Sequence, residues 1–120
     1  MADRKTILYV QTSDQPERQY SPLVLAQAAR AMDVDAAVYY LGLGLKVLQP
    51  EAAAGIRLGS FPSLAEVLKA TMAAGVPVYA CEASKQMLGW DTVELLDGVK
   101  VVGAATLNDL ALEADATMWF

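Results

Sequence analysis

The sequence predicts an α/β protein in three layers, α/β/α, with a mainly parallel sheet of about five strands. Two patterns predict this fold. Short runs of β-branched and aromatic residues alternate along the chain with alanine- and leucine-rich runs of helical period. Glycine, proline or capping residues close most of these runs. The chain has 120 residues, 55% of them hydrophobic, which suits one domain, and we expect it to span residues 1–120.

The predicted strands are nearly continuous in apolar or β-prone residues. This character is typical of parallel strands that are buried on both faces of a sheet. Because strands alternate with helices, we expect a mainly parallel sheet with helices on both faces. The predicted strands are residues 5–12, 35–41, 76–80, 99–102 and 116–120.

Helices are predicted where a capping residue precedes an alanine-rich or amphipathic run. We expect Ser21 to be an N-cap and Pro22 to be the first helical residue. Ser63 and Glu66 have the spacing of a capping box, and Thr106 is expected to cap the last helix. The predicted helices are residues 22–32, 64–74, 82–88 and 107–114, with further helical turns at 51–54 and 91–94.

Composition argues against several classes of function. The net charge is −5 and the nine basic residues are scattered, so neither nucleic acid nor an anionic membrane is an expected partner. Histidine is absent and there is one cysteine, which rules out Ser-His-Asp and Cys-His pairs and argues against a zinc site. No phosphate-binding glycine motif is present. We therefore expect no metal and no cofactor.

The same features predict the compartment and the assembly. One cysteine cannot form a disulfide within the chain, and no apolar run approaches the roughly 20 residues of a membrane span. The first residues lead into a strand without a signal-peptide core. We therefore expect a cytoplasmic protein. So small a domain rarely hides this much apolar surface alone, which predicts a subunit interface.

Cys81, the single cysteine, is the leading candidate for chemistry. A β-rich run ends at this residue, and a helix-compatible run follows it. Parallel α/β sheets place their ligand and reaction sites at the carboxyl ends of strands. A helix N-terminus also favours a thiolate, the reactive form of cysteine. The competing interpretation is a buried thiol that acts as a small hydrophobic side chain.

Several loops are expected to meet at the same rim of the sheet. Lys85 lies one helical turn after Cys81 and would favour a thiolate, whereas the adjacent Glu82 would oppose it. The sequence leaves the net effect of these two charges open. The candidate residues that would stabilise a substrate or the sulfur of Cys81 are Gln11, Thr12, Ser13, Lys46, Ser84 and Lys85.

Five segments together resemble the DsrE/DsrF-like family, which includes TusD-type sulfurtransferase subunits. The most specific segment is VYACEAS at residues 78–84, followed by Gly89. The others are TILYV at 6–10, LGLGLKVL at 41–48, GVKVVGAATL at 98–107 and ADATM at 114–118. The resemblance covers nearly the whole chain. It leans towards the DsrE-like proteins of sulfur-oxidising systems related to heterodisulfide reductase.

This resemblance implies a small cytoplasmic protein of DsrEFH-like fold that assembles into trimers or hexamers. It implies that Cys81 carries sulfane sulfur as a persulfide, and that the partners are TusA-like and rhodanese-like sulfur carriers. The protein would then be a sulfur carrier or a sulfurtransferase. The absence of histidine and the presence of Glu82 directly after the cysteine leave the direction of transfer open.

Two other classes of function compete with this hypothesis. One is a non-catalytic oligomeric scaffold or partner-binding subunit in which Cys81 is structural. Such a thiol would resist alkylation in the native protein. The other is a nucleotide-binding α/β module with its site at the loop from Gly42 to Gly44, and the missing phosphate loop counts against it.

Overall fold

The computed structural model describes residues 4–120. Residues 1–3, which precede the first predicted strand, lie outside the described part. The strands are β1 Thr6–Gln11, β2 Asp35–Tyr40, β3 Val78–Cys81, β4 Lys100–Val102 and β5 Ala116–Trp119. They form one sheet in the order β4-β3-β2-β1-β5, and every pairing is parallel. The predicted fold class is confirmed.

Helices and tight turns connect these strands. The α-helices are α1 Tyr20–Ala31, α2 Pro50–Gly55, α3 Leu64–Ala73, α4 Glu82–Met87 and α5 Ala104–Glu113. Two 3-10 segments, Pro16–Arg18 and Gly42–Leu48, follow the carboxyl ends of β1 and β2. Ser63 caps α3 as predicted, because its hydroxyl accepts a hydrogen bond from the Glu66 N–H at 3.3 Å.

The larger part of the core lies on the face of the sheet that α1 and α3 cover. Strand side chains such as Tyr9, Val38 and Val78 pack there against Leu23 of α1 and Leu68 of α3, all buried. The two helices are also joined by a hydrogen bond of 2.9 Å from Gln27 to Thr71. This face therefore forms the densely packed side of the protein.

The opposite face has a smaller core that contains the single thiol. Its buried members are Leu8, Val10, Ala37, Tyr39 and Cys81, which we call the thiol-side cluster. Helix α5 packs on this cluster through the partly buried side chains of Leu107, Leu110 and Ala111, and Ala114, which follows the helix, packs there too. No residue of α5 is fully buried, and this helix is therefore the most lightly packed layer of the fold.

Two predicted helix starts are wrong by a few residues. Helix α1 begins at Tyr20 with Gln19 as its N-cap, so Ser21 and Pro22 lie inside the first turn. The first turn tolerates Pro22 because its missing N–H has no partner within a helix there. The N-cap of α5 is Gly103, and Thr106 lies inside the helix with its N–H bonded to the Gly103 carbonyl at 3.1 Å.

The helical turn predicted at residues 91–94 does not form a helix. The Val93 N–H donates to the Trp90 carbonyl in an isolated turn, and the Leu96 N–H then donates to the Leu48 carbonyl at 2.7 Å. This tertiary bond draws the chain onto the 3-10 segment after β2 and overrides the weak local preference for helix.

Within residues 4–120, no helix combines the length and the apolar character needed to cross a membrane.

Gly44 is required by a close approach between two loops at the rim. A Cβ atom built on Gly44 would lie 2.5 Å from the Gln11 carbonyl oxygen, and backbone cannot move aside easily. We expect Gly44→Ala to lower the free energy of unfolding by about 1–3 kcal/mol, measured by urea denaturation. Gly55→Ala is the control, because nothing lies within 4 Å of its Cβ position, and it should leave stability unchanged or slightly higher. Equal stability of both variants would show that the loops can separate without cost.

Candidate functional site

Cys81 lies where β3 ends and α4 begins. It is the last residue of the strand and the N-cap of the helix, with extended backbone at φ −74° and ψ 121°. The residue is only 2% exposed. Its thiol therefore faces the thiol-side cluster rather than open solvent, while its backbone starts a helix whose first N–H groups have no partner within the helix.

Tyr39 reaches the same site from the neighbouring strand. In the parallel register of β2 and β3, Tyr39 pairs with Tyr79, and alternation places Tyr79 and Cys81 on one face. The Tyr39 hydroxyl donates a hydrogen bond of 3.0 Å to the Gly103 carbonyl at the start of α5. Tyr39 thus connects β2, the neighbour of the thiol-bearing strand, to the start of the helix that covers the thiol.

Ser84 supports the thiol from the first turn of α4. Its side chain is buried, and its hydroxyl oxygen accepts a hydrogen bond of 2.8 Å from the Gly42 N–H. Gly42 adopts φ +60°, a conformation that glycine takes without strain. Because the Ser84 oxygen is held as an acceptor by this loop, the hydroxyl proton remains available to the sulfur.

The surroundings of Cys81 favour its anionic form. Burial by itself would raise the pKa of Cys81, but hydrogen bonds outweigh it and the pKa is lowered. The donors are, in order of effect, the Ser84 hydroxyl, the Ser84 N–H, the Tyr39 hydroxyl and the Ala83 N–H. Burial raises the pKa of Tyr39, and the Cys81 sulfur raises it further. Tyr39 therefore keeps its proton and acts as a donor.

The three polar residues at the end of β1 hold the rim together instead of contacting the thiol. Gln11 is fully buried; its amide donates to the Arg18 carbonyl at 2.8 Å and its oxygen accepts from the Ser13 N–H at 2.9 Å. The Thr12 hydroxyl donates to the Phe120 carbonyl at 2.7 Å. The Ser13 hydroxyl accepts from the N–H of the residue two positions later. The side chains of Gln11 and Thr12 therefore have structural partners.

The two candidate lysines lie nearer to solvent. Lys46 is exposed on the 3-10 segment after β2. Lys85 is partly buried and lines an open polar cleft of about 570 Å³ together with the carboxylates of Asp91, Glu94 and Asp97. Neither lysine, nor Glu82, is among the groups that shift the pKa of Cys81. The thiol is thus tuned by neutral donors.

The sequence named Ser84 as a candidate near the thiol, and it did not single out Tyr39. A signal was present: strand alternation places residues 37 and 39 on one face of β2, and residues 79 and 81 on one face of β3. Only the register that joins the two strands turns those separate patterns into a contact.

No metal site accompanies this thiol in the described chain. Within residues 4–120, no group of three or more cysteine or carboxylate side chains is placed to hold a metal ion.

This protein is a small parallel α/β domain that carries one thiol at a strand-to-helix junction. The DsrE/DsrF-like family matches residues 5–120, and the chain belongs to that family.

Similar solved structures share the fold. YchN from E. coli has a TM-score of 0.78 and 22% identity, with 98% of this chain and 100% of that chain covered. MTH1491 from Methanobacterium thermoautotrophicum, a protein of unknown function, has a TM-score of 0.78, 19% identity and coverage of 97% and 99%. BT1422 from Bacteroides thetaiotaomicron, also of unknown function, has a TM-score of 0.75, 10% identity and coverage of 97% and 95%. At these identities the likeness shows the fold alone.

A longer protein also contains a related segment. The uncharacterised protein MJ0760 of Methanocaldococcus jannaschii is 24% identical over 104 residues, which are 86% of this chain. The chain spans 38% of the length of this curated relative.

The lowered pKa of Cys81 predicts how its reactivity depends on pH. Alkylation of the native protein by iodoacetamide should have a midpoint below that of the chain unfolded in urea. Because the folded-state pKa is the lower one, ionisation stabilises the fold fully above the unfolded-state pKa, and this contribution disappears as pH falls through the folded-state pKa. Mass spectrometry of alkylation against pH measures both midpoints. A native midpoint at or above the unfolded one would contradict the hydrogen-bond arrangement.

Ser84→Ala tests the strongest donor. The substitution removes one hydrogen bond from the thiolate and leaves the Gly42 N–H without its acceptor. We expect a higher thiol pKa, roughly tenfold slower alkylation at neutral pH, and a loss of about 1–2 kcal/mol in unfolding free energy. Ser13→Ala is the matched control, since its hydroxyl bonds only to Gln15 within the loop. If both variants alkylate like the wild type, Ser84 does not act on the sulfur.

Proposed function

We propose that this protein is a sulfur carrier that holds sulfane sulfur as a persulfide on Cys81 and passes it to a thiol of another protein. The observation that carries the proposal is the lowered pKa of Cys81 at the junction of β3 and α4, in a chain of the DsrE/DsrF-like family. The family supports a role in sulfur relay, and the site supplies a thiol that is chemically suited to it.

The transfer is a thiol exchange that needs no external oxidant. The Cys81 thiolate attacks the outer sulfur of a donor persulfide, R–S–SH. A bond forms between the Cys81 Sγ and that outer sulfur, while the sulfur–sulfur bond of the donor breaks and R–S⁻ leaves. The products are Cys81–S–SH and the donor thiolate, so atoms, charge and electrons balance. Delivery repeats the step, with an acceptor thiolate attacking the outer sulfur of the Cys81 persulfide.

The residues around the thiol serve both steps. The Ser84 hydroxyl and the N–H groups of Ala83 and Ser84 stabilise the attacking thiolate during loading. The same donors stabilise the thiolate of Cys81 when it becomes the leaving group during delivery, and a lower pKa makes a sulfur leave faster. One arrangement of neutral donors therefore suits a carrier that must accept sulfur and release it.

The partners and assembly belong to the same proposal. We infer that the donor and the acceptor are TusA-like and rhodanese-like sulfur carriers of the cytoplasm, in sulfur oxidation or sulfur relay. We also infer a homo-oligomer, a trimer or a hexamer. Apolar side chains exposed on α5 and on the outer strands β4 and β5 support an interface between copies: Leu112, Val101, Met118 and Trp119.

A second function is favoured by the burial of the thiol. Cys81 is 2% exposed, as expected of a cysteine that packs as a small hydrophobic residue. In that case the protein would be an oligomeric scaffold or partner-binding subunit, and its thiol would serve only the thiol-side cluster.

Loading with polysulfide separates the two functions. We expect the wild-type protein to gain sulfur mass that dithiothreitol removes, measured by intact-protein mass spectrometry. Cys81→Ser should gain none, because the serine oxygen cannot accept sulfane sulfur. Ser13→Ala, which keeps the thiol and its donors, should load like the wild type and controls for general effects of substitution at the rim.

Absence of any sulfur gain on the wild type, together with resistance of Cys81 to alkylation in the native state, would exclude the carrier and favour the scaffold.

A further inference from the structure

We propose that the Tyr39 hydroxyl is a latch that links the charge on Cys81 to the position of α5. While the sulfur is protonated, Tyr39 holds the start of α5 through Gly103; when the sulfur is anionic, Tyr39 turns to it and the first turn of α5 is released. The inference deepens the proposed function, because it supplies the opening that a buried carrier thiol needs.

The geometry gives one proton two acceptors. The Tyr39 hydroxyl donates to the Gly103 carbonyl at 3.0 Å, and Tyr39 and Cys81 belong to the same buried cluster on adjacent strands. A hydrogen bond between them raises the pKa of Tyr39 and lowers that of Cys81, so the sulfur is the second acceptor within reach. A phenol has a single O–H. Tyr39 therefore cannot donate fully to the carbonyl and to the sulfur at once, and the stronger acceptor takes the bond.

The charge on the sulfur decides which acceptor is stronger. A neutral thiol is a weak acceptor, so the peptide carbonyl of Gly103 keeps the proton of Tyr39. An anionic sulfur forms a charge-assisted bond that is roughly twice as strong as a neutral one. In a buried site the alternative is an anion that lacks one of its donors, which is costly. Ionisation of Cys81 therefore shifts Tyr39 from Gly103 to the sulfur.

The two ends of α5 are held by different contacts. The end is anchored twice to β1: the Asp115 N–H donates to the Thr6 carbonyl at 2.9 Å, and the Asp115 carboxylate accepts from the Thr6 N–H at 2.8 Å. At the start, the sheet holds the chain up to Val102, which pairs with Cys81, and the next residue, Gly103, is exposed and carries no side chain. Beyond that point the first turn has the Tyr39 bond and partly buried side chains, since no residue of α5 is fully buried. A lightly packed segment that loses an anchor opens locally at low free-energy cost.

Release of α5 would uncover the cluster that contains the thiol. Leu107, in the first turn and a half of α5, packs on the thiol-side cluster, in which Cys81 is 2% exposed. A partner thiol must approach the sulfur to exchange with it, and the closed helix leaves little room. The latch would thus expose the thiol in its reactive anionic form and cover it in its protonated form.

Other ionisable groups surround this site and have to be separated from the thiol. On the same face of the sheet are Tyr79 of β3 and Lys100 of β4; Glu82 and Lys85 lie on α4, and Lys46 lies on the 3-10 segment. The α5 side chains that pack on the cluster are apolar. Cys81→Ser retains all of these groups and removes only the ionisable sulfur, so it isolates the effect of Cys81.

Hydrogen exchange of the Thr106 amide tests the latch, because this N–H bonds to the same Gly103 carbonyl. Exchange is followed by NMR on either side of the alkylation midpoint and corrected for the intrinsic effect of pH. In the wild type, protection of Thr106 should fall by roughly three- to tenfold when Cys81 ionises. In Cys81→Ser it should not change with pH.

Tyr39→Phe should show low protection of Thr106 at every pH, together with a higher thiol pKa than the wild type. The second readout would not move if Tyr39 were merely structural. Tyr40→Phe is the matched control: its hydroxyl is buried without a partner, so its removal should alter neither property.

Protection of Thr106 that does not depend on pH in the wild type would overturn the latch, as would an unchanged thiol pKa in Tyr39→Phe. The proposed function stands or falls separately, because polysulfide loading of Cys81 is measured without reference to α5. A protein that loads sulfur with a fixed α5 is a carrier without the latch.

Discussion

The parallel register between β2 and β3 is the constraint on which the site depends. It pairs Tyr39 with Tyr79, and alternation then brings the tyrosine hydroxyl and the Cys81 thiol to one face of the sheet. A shift by one residue would send Tyr39 to the face that α1 and α3 cover, and Cys81 would lose both a donor and its connection to α5. The chemistry at the rim is therefore fixed by backbone pairing well before any loop is considered.

One face of the sheet holds most of the stabilising core, and the other face is covered more lightly. One face buries large side chains between strands and two helices, and includes fully buried residues such as Leu23 and Leu68. The other relies on α5, which contributes only partly buried residues. A reactive thiol on the densely packed face would be inert, because exposing it would require global unfolding. A thiol under the more lightly packed α5 can instead become exposed by local opening of that helix, without global unfolding.

Signals from residues close together in the sequence predicted most strands and helices of this fold. The features that were not predicted depend on contacts between residues far apart in the sequence. Each strand carried its own apolar pattern, and Ser63 with Glu66 marked the start of α3 from neighbouring residues alone. The segment at 91–94 failed because a bond from Leu96 to Leu48, far apart in sequence, set its path. The position of Ser84 near the thiol was predictable, because it lies one helical turn after Cys81. The position of Tyr39 was not predictable, because it depends on the order and the register of the strands, and a single sequence does not give either.

Neutral donors at Cys81 have a consequence for the conditions under which the thiol is reactive. A thiolate stabilised by an exposed lysine loses that support as salt screens the charge. Hydroxyl and peptide donors act over hydrogen-bond distances and carry no net charge for salt to screen. The nucleophilicity of this thiol is therefore independent of ionic strength to a first approximation, and it would persist through osmotic changes that alter charge-steered encounters between proteins.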